Sequence, residues 1–266
     1  MGISGQVNAL IVSNGGLLHS ASGLVDGTGN VAVVWGVGSA WSNYSAVGSL
    51  SVEGTQNRLV VSNGGGVYSG QGVVGLSGGV GNVAVVWGSG SAWSNYAGPL
   101  KIDGTDNRLV VSNGGLAWSG WGSVGDAGAV SNVAVVWGGG SAWINYDPTN
   151  ALWVGNLNSA ANLLIISNQG LVRDVEGRVG GSNSVGNGAV VWGSGSAWAH
   201  SGNLYVGYSG LSNSLAITNG GLVTDLSGQT GLDAGANDNT ALVSDARCRM
   251  RSAAASKTAC DPGLDS

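Results

Sequence analysis

The chain has 266 residues, a net charge of −5 and only 9% charged residues, against roughly 25% in typical soluble chains. Nine Lys and Arg residues are too few for a clustered basic face, so we expect no nucleic-acid partner. No apolar run approaches the roughly 20 residues of a membrane-spanning helix. The 51 Gly and 3 Pro lie below the roughly 25–30% typical of low-complexity disorder.

A four-residue string, Ser-Asn-Gly-Gly or a close variant, returns along the chain with spacings of 49, 50, 55 and 51 residues. Its asparagines are Asn14, Asn63, Asn113, Asn168 and Asn219. A second string, Val-Trp-Gly-x-Gly-Ser-x-Trp, begins at Val34, Val86, Val136 and Val191. A fixed period of this length is the signature of a repeat architecture, here about five modules of about 50 residues.

Each string is predicted to be a strand that ends in a turn. The runs before the turns are β-branched, and Asn-Gly-Gly and Gly-x-Gly supply residues that adopt positive φ. We find no helical period in residues 1–243. Two all-β architectures fit, a closed propeller and a parallel β-helix. Variable module spacing suits an open stack better than a closed ring, so we expect the β-helix, with two to three coils per module and a rod of roughly 50–70 Å.

The five repeated asparagines lie at one fixed turn position. In a parallel β-helix, equivalent residues lie about 4.8 Å apart, and stacked asparagines can pass amide hydrogen bonds from coil to coil. We therefore predict that Asn14, Asn63, Asn113, Asn168 and Asn219 form a buried structural ladder.

The module Leu-x-Val-Gly, Asn-x-Leu-x-Ile-x-Asn-Gly-Gly and Val-x-Trp-Gly-x-Gly-Ser-x-Trp resembles the type V secretion and PEP-CTERM-associated repeat of autotransporter-like bacterial surface proteins. The segment from Gly202 to Leu222 carries the best match, and the resemblance covers nearly all of residues 2–244. It implies a right-handed parallel β-helix exported from the cell, extracellular or associated with the outer membrane. It implies no catalytic residues.

The two ends of the chain depart from the module. Met1 aligns with Val206, in mid-module, which predicts that the β-helix of residues 1–244 is a fragment of a longer protein. Residues 245–266 lose the pattern and hold both cysteines, Cys248 and Cys260. This segment is a cap, a frame-shifted sequence or a non-native tail.

Candidate chemistry is sparse. The recurring Gly-x-Gly leads into β structure rather than a helix, which favours a turn over a phosphate loop. Asp174 and Glu176 are the carboxylates to consider for a polysaccharide lyase or hydrolase, but a spacing of two on a strand predicts that both point outward into solvent. We therefore expect no catalytic site.

Metal binding is not expected either. Glu53, Asp103 and Asp106 could suggest a calcium turn, but the tandem pattern of calcium-binding β-rolls is absent. His19 and His200 occupy unrelated module positions with no carboxylate or Cys at ligand spacing. No cofactor is predicted.

The strand Val31-Ala32-Val33-Val34-Trp35 and its copies predict one inward and one outward parity. The outward parity holds Val33 and its equivalents, flanked by Trp35, Trp87, Trp137 and Trp192. Stacking would line these residues into a stripe. Either a neighbouring loop covers the stripe, or it is an exposed apolar surface for interaction.

The sequence thus predicts a structural or adhesive repeat domain of a secreted or surface-displayed protein. Its partners would be polysaccharide, a host or neighbouring cell surface, or another copy of the chain. A polysaccharide-acting β-helix enzyme is the alternative, and an intracellular scaffold is a third interpretation.

Overall fold

The computed structural model describes residues 1–45, 48–76, 78–96, 98–244 and, as a strand, 249–252. These residues form 30 short β-strands and contain no α-helix. Consequently, no helix of the described chain has the length and apolar character needed to cross a bilayer.

The strands, numbered in chain order, build three parallel sheets of ten strands each. The first sheet contains β1 Gly2–Ile3, β4 Gly23–Val25, β7 Ser49–Val52, β10 Gln71–Val74, β13 Leu100–Ile102, β16 Gly122–Val124, β19 Leu152–Val154, β22 Gly177–Val179, β25 Leu204–Val206 and β28 Gly228–Thr230. The second contains β2 Ala9–Ser13, β5 Val31–Trp35, β8 Arg58–Ser62, β11 Val83–Trp87, β14 Arg108–Ser112, β17 Val133–Trp137, β20 Leu163–Ser167, β23 Gly188–Trp192, β26 Ser214–Thr218 and β29 Thr240–Ser244. The third contains β3 Leu17–Ser20, β6 Ala40–Asn43, β9 Gly66–Ser69, β12 Ala92–Asn95, β15 Leu116–Ser119, β18 Ala142–Asn145, β21 Leu171–Asp174, β24 Ala197–His200, β27 Leu222–Asp225 and β30 Arg249–Ser252.

Three consecutive strands, one from each sheet, make one rung, and each strand pairs in parallel with the strand three positions later. The chain therefore passes through ten rungs in about nine turns, which confirms the predicted all-β parallel solenoid. Nine steps of about 4.8 Å give a rod of about 43 Å, shorter than predicted. The Ser-Asn-Gly-Gly string follows β2, β8, β14, β20 and β26, so each repeat of the sequence spans two rungs.

Buried side chains differ in size between alternate rungs. In rungs 2, 4, 6 and 8 a buried tryptophan of the third sheet faces a glycine of the first. A Cβ atom on Gly122, for example, would lie 2.4 Å from the Trp143 ring. In the odd rungs between them a leucine replaces this glycine and Val or Ala replaces the tryptophan, as Leu152 and Val172 do in rung 7. Large and small side chains thus exchange sheets and keep the interior filled, which explains a two-rung period.

The buried asparagine ladder runs through a different set of residues from the one predicted. Its members immediately precede the strands of the second sheet, and each backbone N–H donates to the Oδ1 of the asparagine in the next rung at 2.6–3.0 Å. They are Asn8, Asn30, Asn57, Asn82, Asn107, Asn132, Asn162, Asn187, Asn213 and Asn239. Apart from the terminal members, these side chains are at most 1% exposed. One amide per rung thus satisfies the backbone where the chain turns.

The prediction of a buried ladder at Asn14, Asn63, Asn113, Asn168 and Asn219 is wrong. All five side chains are exposed, and all five residues have φ between 51° and 55°. Asparagine occupies this position because it tolerates the left-handed conformation of a tight turn. The residue after four of these asparagines donates its N–H to a serine of the next rung, as Gly64 does to Ser91 Oγ at 3.0 Å. The two sequence strings are therefore neighbours in space.

The C-terminal segment is described only in part. Residues 245–248 and 253–266, with Cys248 and Cys260, lie outside the described residues. Arg249–Ser252 falls within the predicted tail and pairs with β27 at the end of the third sheet.

Candidate functional surfaces

The structure places the four predicted tryptophans on the outer face of the second sheet. Trp35, Trp87, Trp137 and Trp192 are 36–48% exposed, so no loop of the described chain buries them. The assigned parity also holds: Ala32 and Val34 are fully buried, whereas Val33 is partly exposed.

The tryptophans do not contact one another as a continuous ladder. Each pairs with a Ser or Thr of the neighbouring rungs, as Trp87 pairs with Ser62 and Ser112. Tryptophans therefore recur every second rung, about 9.6 Å apart. Beside them an aliphatic row is nearly continuous, with Val60, Val85 and Val110 paired in register. The result is a flat apolar face with alternating indole and hydroxyl groups along one border.

A second aromatic surface, the aromatic ribbon, lies on the third sheet. It has one ring in each of rungs 1 to 6, and these residues are His19, Tyr44, Tyr68, Tyr96, Trp118 and Tyr146. All six are exposed, and the Tyr and Trp residues are 40–66% exposed. His19, Tyr68 and Trp118 lie on strands of odd rungs, and the other three follow strands of even rungs. The ring centroids of Trp118 and Tyr146 are 5.8 Å apart.

Local contacts fix the rings of the ribbon against the sheet. The ring of Tyr68 lies over Gly66, where an added Cβ would be 2.6–2.8 Å from ring atoms. Tyr96 Oη donates to the carbonyls of Asn43 at 3.1 Å and Ser45 at 3.0 Å, two rungs away. The ring of Tyr96 therefore extends along the rod beside Tyr68.

Sequence reasoning missed this ribbon. The string Trp-Ser-Asn-Tyr, with Trp-Ile-Asn-Tyr as its third copy, does mark Tyr44, Tyr96 and Tyr146 as a periodic set. The other three rings belong to dissimilar strings, and only the pairing of rungs brings the two sets into line.

The prediction that Asp174 and Glu176 both point outward is wrong. Asp174 is the last residue of β21 and points into the core, where its Oδ2 accepts a hydrogen bond from Trp198 Nε1 at 2.7 Å. Its Oδ1 lies 2.5 Å from His200 Nδ1, and both side chains are completely buried. Glu176 is partly exposed and pairs with Arg178. The two carboxylates therefore do not share a site.

His200 has a carboxylate partner that the sequence spacing did not indicate. Asp174 is 26 residues away but is its direct neighbour in register between β21 and β24. The pair is sealed inside the solenoid, so it has no access to substrate. It replaces the buried Ser and Asn found at the same place in earlier rungs.

Arg178 lies in an aromatic cluster on the first sheet. Its guanidinium carbon is 4.7 Å from the ring centroid of Trp153 and 4.3 Å from that of Tyr208. Beside it, the loop 148–151 and Glu176 line a small pocket of about 60 Å³. Because the carboxylate and the guanidinium neutralise one another, the cluster stabilises the surface of rungs 7–9 locally.

The carboxylates considered for calcium do not converge. Asp106 is exposed in a turn with a φ of 56°, whereas Asp103 Oδ1 accepts the N–H of Gly104 at 2.9 Å. Burial raises the pKa of Glu53, and the nearby charge of Asp26 raises it further. Among the described residues, no group of three or more His, Cys, Asp or Glu side chains could hold a metal ion.

Comparisons with known proteins leave the family open. No protein-family model matches the chain, and no curated protein matches it. Among solved structures, it is similar to the crystal structure of a TibC-catalysed hyper-glycosylated fragment of TibA. That match covers 93% of this chain and 99% of the fragment, with 13% sequence identity and a TM-score of 0.23. Similarity at this level establishes neither a shared family nor a shared function.

Proposed function

We propose that this chain is a structural and adhesive repeat segment of an exported bacterial surface protein. In this proposal the solenoid is right-handed and consists of five two-rung modules. It serves as a rigid rod that carries outward side chains away from the cell. We further propose that it has no enzymatic activity and acts outside the cell, in association with the outer membrane.

The exposed tryptophan stripe is the observation that carries this proposal. Trp35, Trp87, Trp137 and Trp192 all remain at least 36% exposed on a flat sheet face, next to a row of aliphatic side chains. A contiguous apolar surface of this kind on a water-exposed chain usually marks an interaction site. Tryptophan suits such contacts because it combines a large apolar area with one polar group. The partner would be another copy, a cell surface or a polysaccharide.

A polysaccharide-acting enzyme gains less support. Its two candidate carboxylates lie on opposite sides of the sheet, and Asp174 is held by Trp198 and His200 in the sealed core. Glu176 is paired with a guanidinium. A pair of carboxylates flanking a scissile bond, as glycoside hydrolysis requires, is not formed by these residues.

The double substitution Trp87→Ser/Trp137→Ser tests the proposal. It converts the stripe at rungs 4 and 6 to the serine already present in the rungs between them. We expect weaker self-association in sedimentation velocity, or weaker retention of the chain on bacterial cells, by at least tenfold. Circular dichroism should be unchanged because both indoles are outside the core.

Val37→Ser provides the matched control, since Val37 is an isolated apolar residue that is 86% exposed. This variant should leave both measurements unchanged. If the double tryptophan variant associates and adheres like the unaltered chain, the stripe is not adhesive and the proposed function fails.

A further inference from the structure

We infer that the aromatic ribbon of the third sheet binds an extended, neutral, β-1,4-linked hexose polymer that lies along the rod. The inference rests on the proposed function as a display rod, because it names a ligand class for a second outer face. It concerns His19, Tyr44, Tyr68, Tyr96, Trp118 and Tyr146, not the tryptophan stripe of the second sheet.

The spacing of the rings favours a polymer with a short, regular repeat. The ribbon offers one ring per rung, and rungs follow one another at about 4.8 Å, close to the length of one hexose in an extended β-1,4-linked chain. Odd-rung and even-rung rings are displaced by two residues along the strand direction, because Tyr44 follows Ser42, the register partner of both His19 and Tyr68. Rings that alternate from side to side in this way match a chain whose successive sugars are turned over.

The orientation of the rings favours stacking. Tyr68 lies flat over Gly66, a position where any larger residue would lift the ring. The Oη of Tyr96 is anchored to two backbone carbonyls, which keeps its ring along the rod. A flat aromatic face that is already ordered gains affinity for the C–H face of a sugar because little side-chain freedom is lost on binding.

The surroundings of the ribbon favour a neutral ligand. The outward positions of the third sheet in rungs 1 to 6 carry only apolar, hydroxyl or aromatic side chains and His19, with Ser42 and Ser94 between the rings. These hydroxyl groups can bond the sugar hydroxyls at the edge of each ring. The first formal charge in this row is Arg173 in rung 7, where the aromatic residues end. The ribbon therefore has a length of about six sugars.

Isothermal titration of the full chain with cellohexaose tests the inference. We expect saturable binding, and we expect Tyr68→Ala/Trp118→Ala to weaken it at least tenfold, because two of the six platforms are lost. Tyr68→Phe should retain the affinity within about threefold, since the stacking face is kept. Maltohexaose, whose α-linked chain is coiled rather than extended, should bind at least tenfold more weakly.

The Trp87→Ser/Trp137→Ser variant is the matched control, since it removes two indoles from the other face and should bind cellohexaose as the unaltered chain does. That result would support the ribbon even if the tryptophan stripe proved not to be adhesive. The inference is overturned if no heat is detected at millimolar cellohexaose, or if Tyr68→Ala/Trp118→Ala binds equally well with unchanged circular dichroism. It is also overturned if that variant instead abolishes self-association, which would identify a second copy as the occupant.

Discussion

Rungs 1–6 and rungs 7–10 share one backbone plan but differ at one buried position and on one outer face. In rung 6, Trp143 Nε1 donates to Ser119 Oγ at 3.1 Å, and Ser119 donates to Asn145 Oδ1 at 2.7 Å. Rungs 2 and 4 repeat this arrangement. In rung 8, Trp198 bonds Asp174, and His200 takes the place of the asparagine. An ionisable pair thus replaces a neutral one in the same space.

The outer face changes at the same boundary. The aromatic ribbon ends with Tyr146, and Arg173 occupies the next position in the row. Aromatic residues reappear on the first sheet, where Trp153 and Tyr208 enclose Arg178. The apolar core and the asparagine ladder continue unchanged through both regions. The comparison teaches that the core and the ladder maintain the solenoid, whereas the third-sheet polar position and the outer faces vary independently of it.

Removing His200 should produce the largest difference between the two regions. His200→Ala would leave the Asp174 carboxylate buried without its partner, which costs about 3–5 kcal/mol. The equivalent change in rung 6, Asn145→Ala, leaves only a neutral hydroxyl without its acceptor and should cost about 1–3 kcal/mol. Urea denaturation followed by circular dichroism measures both free energies of unfolding.

A double substitution controls for the loss of volume. Asp174→Ser/His200→Asn reproduces the arrangement of rung 6, and it should recover most of the stability lost in His200→Ala, since no buried charge remains. Equal losses for His200→Ala and Asn145→Ala would show that the two buried pairs are energetically equivalent and that the comparison has no energetic basis.

The asparagine ladder should respond alike in both regions. Asn107 Oδ1 accepts from the backbone N–H of Asn82 at 2.7 Å, and Asn187 Oδ1 accepts from that of Asn162 at 3.0 Å. Asn107→Ala and Asn187→Ala should each cost about 3 kcal/mol, because buried amide groups lose their partners. Asn113→Gly is the control: its φ of 51° suits glycine, so the free energy of unfolding should change by less than about 0.5 kcal/mol. A larger loss for Asn113→Gly than for Asn107→Ala would restore the ladder first predicted from the sequence.

Most of the fold could be predicted from the sequence, because the repeat encodes it directly. Alternation of Ala32 and Val34 with Val33 and Trp35 identified the buried and outward faces of the second sheet. The two-rung period was the limit of this reasoning. The strongest asparagine signal, Asn-Gly-Gly, marks a positive-φ turn, whereas Asn107 and its equivalents precede strands whose sequences differ in alternate rungs. A period of about 25 residues is therefore hidden beneath one of about 50.

The polar pair and the aromatic ribbon were harder to predict for a physical reason. Asp174 and His200 are 26 residues apart and occupy unlike strings, and they meet only because β21 and β24 pair in register. Tyr68 and Tyr96 belong to different half-repeats, and Tyr96 lies two residues beyond the register partner of Tyr68. Such contacts depend on the exact number of residues per turn of the solenoid, which the loops set and the strand pattern does not reveal.

The smallest expected effect is a coupling between the core glycines and their neighbours. A Cβ on Gly177 would lie 2.3 Å from His200 Cε1, so Gly177→Ala should be less harmful once His200 is alanine. A Cβ on Gly122 would meet the Trp143 ring at 2.4 Å, and Asn145→Ala leaves that ring in place. A double-mutant cycle should therefore give a coupling of about 1 kcal/mol for Gly177 with His200 and a value near zero for Gly122 with Asn145. Equal couplings would mean that the imidazole of rung 8 and the amide of rung 6 fill the core in the same way, leaving charge alone to separate the two regions.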